Sequence, residues 1–219
     1  MNIFDIIGPI MTGPSSSHTA GAVKIGHAAL RLFGKKPDKA IIRLYNSFSK
    51  TGKGHGTDKA LIAGLLGFAP DDSRIFNAMA EAKKAGLEAF VEFMGENNAY
   101  HANTAEIVLY HDSDSMRIIG KSIGGGRIVI TQVDEYETGY TGEYHGLMTI
   151  HKDVPGVVSH VTSSLAKFGV NIAFMRLYRK TRGSQVMMII DTDNPIPEKV
   201  QDLLSKHPQI KKAAILNKK

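Results

Sequence analysis

Residues 146–216 read as strand, helix, strand, strand, helix, strand, and this order constrains the fold more than any other feature of the chain. "GLMTIHKD" supplies the first strand. "VPGVVSHVTSSLAKFG" follows, with Pro155 near a helix start and Gly169 just past its end. That is the asymmetry produced by proline's fixed φ and glycine's left-handed freedom. Val157, Val158, Val161, Leu165 and Phe168 recur at helical spacing and predict one buried stripe. "VNIAFMRLYRKTRGSQVMMIIDTD" holds two β-rich runs about a turn at 181–183. "PIPEKVQDLLSKHP" is a short amphipathic helix stopped by Pro208, and "QIKKAAIL" is a last strand.

These six elements follow the ferredoxin-like βαββαβ order. Upstream the pattern is more mixed. Helices are expected over 19–33, 58–66 and 72–85, and strands over 40–48, 87–94, 105–111, 116–123 and 127–136, the last two forming a hairpin about "GGG". The fold class is therefore α+β rather than an alternating α/β design. We expect an N-terminal domain over 1–138, a polar, Gly-rich linker over 139–146, and the βαββαβ domain over 147–219.

Composition removes several classes of function. Hydrophobic residues make up 42% of the 219 residues and charged residues 22%, enough for a sizeable core. No stretch reaches the roughly 18 consecutive apolar residues of a membrane-spanning helix. The N-terminal apolar patch contains Asp5 and lacks a basic leader, so a cytoplasmic location is expected, with no membrane partner. The net charge is +6, but the basic clusters near Lys35, Arg179 and Lys211 have no interleaved aromatics, and Trp is absent. They read as solvated surface, and no nucleic-acid partner is expected. There is no cysteine. That fits a chain without disulfides and rules out thiol catalysis and a thiolate-bound metal or iron–sulfur cluster held by this chain.

Two small-residue stretches carry candidate chemistry. In "GPSSSHTAGAVKIGHAAL", Ser17 or Thr19 is placed to cap a helix that ends near Gly34. The free N–H groups of that first turn and the hydroxyls of residues 15–17 suit a carboxylate or phosphate. His18, beside the positive end of the helix dipole, is disfavoured as an imidazolium and is base-competent as a neutral ring. The same residues also serve as an ordinary serine-rich cap. In "NSFSKTGKGHGTDKALIAGLLGF" a strand leads into a Gly-rich loop holding His55, and Thr57 or Asp58 caps the next helix. The P-loop spacing is absent. Two histidines, each feeding a helix, suit proton transfer near neutral pH. His101 and Asn103 stand at the mouth of a strand in "YHANTAEIVLYH", and "KSIGGGRIV" is either a hairpin turn or a backbone wall against a small ligand. His27, His111, His145, His151, His160 and His207 show no metal-ligand spacing and read as structural or surface residues; no metal ligand is assigned. In "HKDVPGVVSHV", Asp153, Pro155 and Gly156 form the turn before a helix whose free N–H groups can hold a small carboxylate, with Asn171 at the start of the next strand.

"GPSSSHTAGA", "GHGTDKA" and "IGGG", in this order and followed by the βαββαβ domain, resemble the β chain of two-subunit iron–sulfur L-serine dehydratases over essentially the whole chain. "DVPGVV…GVNI" resembles an ACT domain, and the N-terminal domain is similar to the allosteric substrate-binding domain of some phosphoglycerate dehydrogenases. The resemblance implies a lyase that converts L-serine to pyruvate and ammonia. Its [4Fe–4S] cluster is carried by a separate cysteine-containing α subunit, whose open iron acts as a Lewis acid on the substrate hydroxyl. It implies no pyridoxal phosphate, and it allows a potassium ion that no residue here specifies. It makes His55 the leading base for the Cα proton, with His18 and His101 as further catalytic residues. It also implies substrate binding by Ser16, Ser17, Thr19, Gly54, Gly56, Thr57 and Gly125. A regulatory amino acid would bind at Asp153, Pro155, Gly156 and Asn171, with ACT domains paired in a homodimer.

Two other readings stand beside this one. A non-catalytic amino-acid sensor needs the ACT-like domain but not neutral imidazoles at helix starts. A self-sufficient hydrolase using Ser17 and His18 lacks an acidic orienting residue, and neighbours in sequence rarely give nucleophile–base geometry.

Overall fold

The computed structural model describes residues 10–179 and 181–218; the apolar patch around Asp5 lies outside them. The chain divides into two compact units, Met1–Glu135 and Tyr136–Lys219.

In the first unit, α1 (Gly21–Phe33) follows a π-helical turn, Ser16–Ala20. Then come β1 (Lys39–Tyr45), α2 (Asn46–His55) and α3 (Thr57–Leu65). A 3₁₀ segment, Ser73–Asn77, precedes α4 (Ala78–Lys84) and β2 (Glu88–Phe93). β3 (Asn103–His111), β4 (Asp114–Gly124) and β5 (Arg127–Val133) complete this unit's sheet, of order β2-β1-β3-β4-β5; β6 (Tyr136–Tyr140) begins the second unit. β1 and β2 are parallel; β1–β3, β3–β4 and β4–β5 are antiparallel.

Ala40, Ile42 and Leu44 point inward from β1 and Ile107 and Leu109 from β3, and they are fully buried with Val23, Ile25, Leu32 and Phe33 of α1. The α1 helix sits directly on β4. A Cβ on Gly21 would stand 2.3 Å from Ser122 Oγ, and one on Gly120 would stand 2.9 Å from Ile25.

Three expected elements differ. The strand over 40–48 ends at Tyr45, because Asn46 takes a positive φ of 53° and turns the chain into α2. The run over 127–136 is two strands, because Asp134 takes φ 48° and its carboxylate accepts the Arg117 N–H at 2.8 Å. The Gly-rich loop around His55 is the helix α2.

In the second unit, β7 (His145–Lys152), α5 (Val157–Lys167), β8 (Ile172–Arg179), β9 (Gln185–Thr192), α6 (Glu198–Ser205) and β10 (Ile210–Ile215) form an antiparallel sheet of order β10-β7-β9-β8. This is the ferredoxin-like arrangement. Its core joins Leu147, Met188 and Ile190 to Val157, Val161 and Leu165 of α5 and to Val200 and Leu204 of α6. Phe168 does not join the expected stripe: it follows α5 and is 36% exposed. The expected linker is also shorter. Gly139 and Tyr140 lie in β6, and His145 and Gly146 in β7, so only 141–144 stand between strands.

His151, on β7, is 1% exposed, and Nδ1 lies 3.0 Å from Thr149 Oγ1. Burial lowers its pKa; the Asp153 carboxylate opposes that shift and His207 reinforces it. The unfolded chain therefore binds this proton at higher pH than the folded one, and stability rises with pH across that interval. The contribution is complete above about pH 6.5 and lost as the pH falls below it. We expect the melting temperature to fall on acidification from pH 7.5 to 5, and to fall less in His151→Gln; parallel curves for the two proteins would remove His151 as a source.

Candidate active site

His18 stands in the π-helical turn, a wide turn that often marks a functional position. Neither Ser17 nor Thr19 caps it. Ser15 does: its Oγ accepts the His18 N–H at 3.1 Å and also lies 3.4 Å from His18 Nδ1. Ser16 and Ser17 are half-buried in the same turn, and Thr19 is buried, its hydroxyl donating to the His55 carbonyl at 3.5 Å.

The other half of the site comes from α2. The Asn46 amide group of the side chain donates to the carbonyls of Asn97, Tyr100 and His101, and its Oδ1 accepts the Asn97 N–H. The Ala102 carbonyl accepts the N–H groups of Ser47 and Phe48, capping the helix with backbone rather than a side chain. Ser47 and Thr51, one turn apart, then face the same ring. Ser47 Oγ lies 3.1 Å and Thr51 Oγ1 3.0 Å from His18 Nε2. At the end of α2, His55 Nδ1 lies 3.0 Å from the Thr51 carbonyl oxygen. Gly56 closes the helix at φ 66°, the left-handed cap that glycine takes without strain. Gly56, not Thr57 or Asp58, also stands at the N-cap of α3.

The two imidazoles are brought together. Their centroids are 4.8 Å apart, and Phe48 meets His18 edge-on at 5.1 Å. The pKa of His18 is lowered, first by burial and then by His55, against a backbone hydrogen bond at Ser47. Burial thus acts in the same sense as the helix dipole anticipated from sequence: both disfavour the imidazolium.

An open cleft of about 170 Å³ adjoins the pair, lined by His55, Gly54, Gly56, Thr19 and the ammonium-bearing Lys53 and Lys59 among others. Of the other expected residues, Ser16, Ser17, Thr57, His101 and Gly125 are not among those that line it. Thr57 is fully buried, beside the core face of Gly52, and offers a substrate no surface. His101 is exposed; its Nδ1 accepts the Asn103 N–H, and among the described residues no hydrogen bond or ring contact joins it to the histidine pair. Gly125 and Gly126, with φ of 59° and 70° between the paired Gly124 and Arg127, form a type I′ hairpin turn. Asn46, Ser47, Thr51 and Lys59 carry no signal of a site in the sequence, and Ser15, expected as an anion-binding hydroxyl, is instead the cap. A serine and a threonine four apart are a helical signal only once α2 is known to be a helix.

In the second unit, Gly156 takes φ 93° at the start of α5, and Pro155 is exposed beside it. The Asp153 carboxylate accepts from Arg179 Nη1 at 2.9 Å and from the Gly183 N–H at 3.2 Å, and the Arg179 contact is the main cause of its lowered pKa. Asp153 therefore fastens the β8–β9 hairpin. Asn171 Nδ2 donates to the Asp193 carboxylate at 2.6 Å.

Comparison with known proteins follows the same division. Residues 2–133 match the family model of the serine dehydratase beta chain, and residues 145–209 match that of the ACT domain. The chain is 42% identical over 210 residues to the probable L-serine dehydratase, beta chain, of Bacillus subtilis, covering 95% of this chain and 94% of that one. It is 36% identical over 202 residues to the L-serine dehydratase, beta chain, of Peptoniphilus asaccharolyticus, covering 92% and 91%. A D-3-phosphoglycerate dehydrogenase of Methanocaldococcus jannaschii is 30% identical over 145 residues, 65% of this chain and 27% of that enzyme. Among the described residues no helix is long and apolar enough to cross a membrane.

Proposed function

The chain belongs to the serine dehydratase beta chain family and carries an ACT domain, and from that premise we propose that it is the β subunit of an L-serine dehydratase and forms one wall of a shared active site. The observation that carries the reading is the His18–His55 pair at the edge of a cleft lined by Thr19, Gly54, Gly56 and two lysines. Dehydration of serine needs a base for the Cα proton, a binding group for the carboxylate and help for the departing hydroxyl. His55, which lines the cleft, is the base. Ser16 and Ser17 bind the carboxylate from the π-helical turn, Thr19 shapes the cleft beside the His55 carbonyl, and neutral His18 holds the site around them. For His101, exposed and apart from the histidine pair, and for Thr57, buried, the geometry offers no comparable support.

A chain without cysteine does not have the donor set of a [4Fe–4S] cluster. The group that assists the leaving hydroxyl therefore belongs to a cysteine-bearing α subunit, and catalysis depends on that partner. No pyridoxal phosphate takes part. In the ACT domain, the exposed turn at Pro155 and Gly156 binds a small amino acid at the start of α5, with Asp153 and Asn171 shaping the turn, and a second ACT domain pairs with it. We place the enzyme in the cytoplasm.

Anaerobic co-purification from the native cell tests this reading. A brown, cysteine-bearing partner should accompany the chain, and the pair, not the chain alone, should release pyruvate from L-serine. A chain that purifies colourless and inert yet binds serine is an amino-acid sensor, and the catalytic reading fails.

A further inference from the structure

One residue touches both site histidines. Thr51 Oγ1 lies 3.0 Å from His18 Nε2, and the Thr51 carbonyl oxygen lies 3.0 Å from His55 Nδ1. What each partner is able to give assigns the protons. A carbonyl only accepts, so His55 carries its proton on Nδ1, and in the neutral ring Nε2 is the lone pair. The Thr51 hydroxyl donates to the Ser47 carbonyl at 2.9 Å, which leaves an oxygen lone pair toward His18 Nε2. Ser47 Oγ shares that nitrogen at 3.1 Å. One N–H divides between two oxygens, whereas a lone pair there would face the Thr51 oxygen with no proton between them. Across the ring, Ser15 Oγ accepts the His18 backbone N–H at 3.1 Å, so its own proton is available to Nδ1 at 3.4 Å. Every group is satisfied when His18 is neutral with its proton on Nε2.

We propose that Thr51 is a positioning residue that sets both tautomers, taking the Nε2 proton of His18 on its hydroxyl and the Nδ1 proton of His55 on its carbonyl, so that among the described residues His55 Nε2 is the unengaged lone pair of the histidine pair. The proposal rests on the reading of this cluster as part of the dehydratase site. The lowered pKa of His18 keeps that ring neutral at pH 7 and above, as the assignment requires. The consequence is specificity of the base. His18 offers both nitrogens to hydroxyls and none to substrate, while His55 offers one.

Long-range ¹H–¹⁵N correlation spectra of the ¹⁵N-labelled full chain near pH 8 read the tautomers without a partner or turnover. His18 should show a protonated Nε2 and His55 a protonated Nδ1. Thr51→Val keeps the branched shape and helix rotamer but removes the acceptor, and it should shift His18 toward a mixture of tautomers; Thr51→Ser should restore the wild-type pattern. With the partner subunit, Thr51→Val should lose about ten- to a hundredfold in kcat/KM, recovered by Thr51→Ser. The reverse tautomer of either histidine in the wild type overturns the proposal, as does a Thr51→Val spectrum identical to wild type. If the tautomers respond as expected but the wild-type complex forms no pyruvate, the positioning role of Thr51 is supported and the dehydratase reading alone fails.

Discussion

Replacing His55 with alanine leaves the two subunits assembled and slows pyruvate formation by about a hundred- to ten-thousandfold, the contribution of a well-placed general base. The size of the effect follows from geometry. His55 ends α2, its Nδ1 is tied to the Thr51 carbonyl at 3.0 Å, and it is one of the residues that line the cleft. Alanine removes the proposed base and little else, because the left-handed cap at Gly56 and the hydroxyl of Thr19 act on backbone atoms of the turn. Folding and assembly should therefore survive, and gel filtration with a melting curve checks that first. The steady-state rate at saturating L-serine is then the decisive quantity. His101→Ala is the control: that ring is exposed and holds only the Asn103 N–H, so its rate should stay within about threefold of wild type. A fully active, assembled His55→Ala protein removes His55 from the mechanism. A large loss in His101→Ala moves the base to the other side of α2.

The difference between these two histidines was not legible in the sequence, and the reason lies in α2. "NSFSKTGKGHG" carries glycine at 52, 54 and 56, which argues against a helix in isolation because each glycine costs roughly 1 kcal/mol of helix propensity. The helix forms because its surroundings specify it. Asn46 binds three carbonyls of the 97–101 segment, Ala102 caps the first two N–H groups, and Phe48 is fully buried. All of these contacts join residues far apart in sequence. With the glycine-rich stretch taken as a loop, Ser47 and Thr51 share no common face, and nothing in the residues alone separates His101 from the site. The βαββαβ unit was legible for the opposite reason. Its strands are compact β-rich runs, Pro155 and Gly169 bracket α5, and Pro208 follows α6, so local signals coincide with the tertiary outcome. The breaks at Asn46 and Asp134 show the same limit on a small scale. Both are residues tolerant of positive φ, but only their partners across the sheet and loop determine that they adopt it.

Adding a single methyl group at Gly64 should destabilise the N-terminal unit by about 1–3 kcal/mol or more, although alanine is the better helix former. The opposing term is a collision between backbones. A Cβ at Gly64 would stand 2.2 Å from the Val23 carbonyl oxygen and 2.9 Å from Gly26 Cα, and one at Gly26 would stand 2.3 Å from the Leu61 carbonyl oxygen. Backbone atoms cannot rotate aside, so α1 would have to lift from α3. It is held down on its other face by β4, where Gly120 admits Ile25 and Ser122 fits against Gly21. The gain in helix propensity, about 1 kcal/mol, is too small to offset that displacement. Gly54 provides the comparison: a Cβ there meets nothing within 4 Å, so Gly54→Ala should hold or raise the melting temperature. Chemical unfolding of Gly64→Ala, Gly26→Ala and Gly54→Ala should rank them in that sense, and an unchanged midpoint for Gly64→Ala would mean the helices do not cross this closely. The crossing also bears on catalysis. α1 begins directly after the turn that carries His18, and α3 begins two residues after His55. The glycine contact therefore sets the separation of the two imidazoles, and the folded fraction of Gly64→Ala should turn over more slowly than wild type even at temperatures where it is fully native.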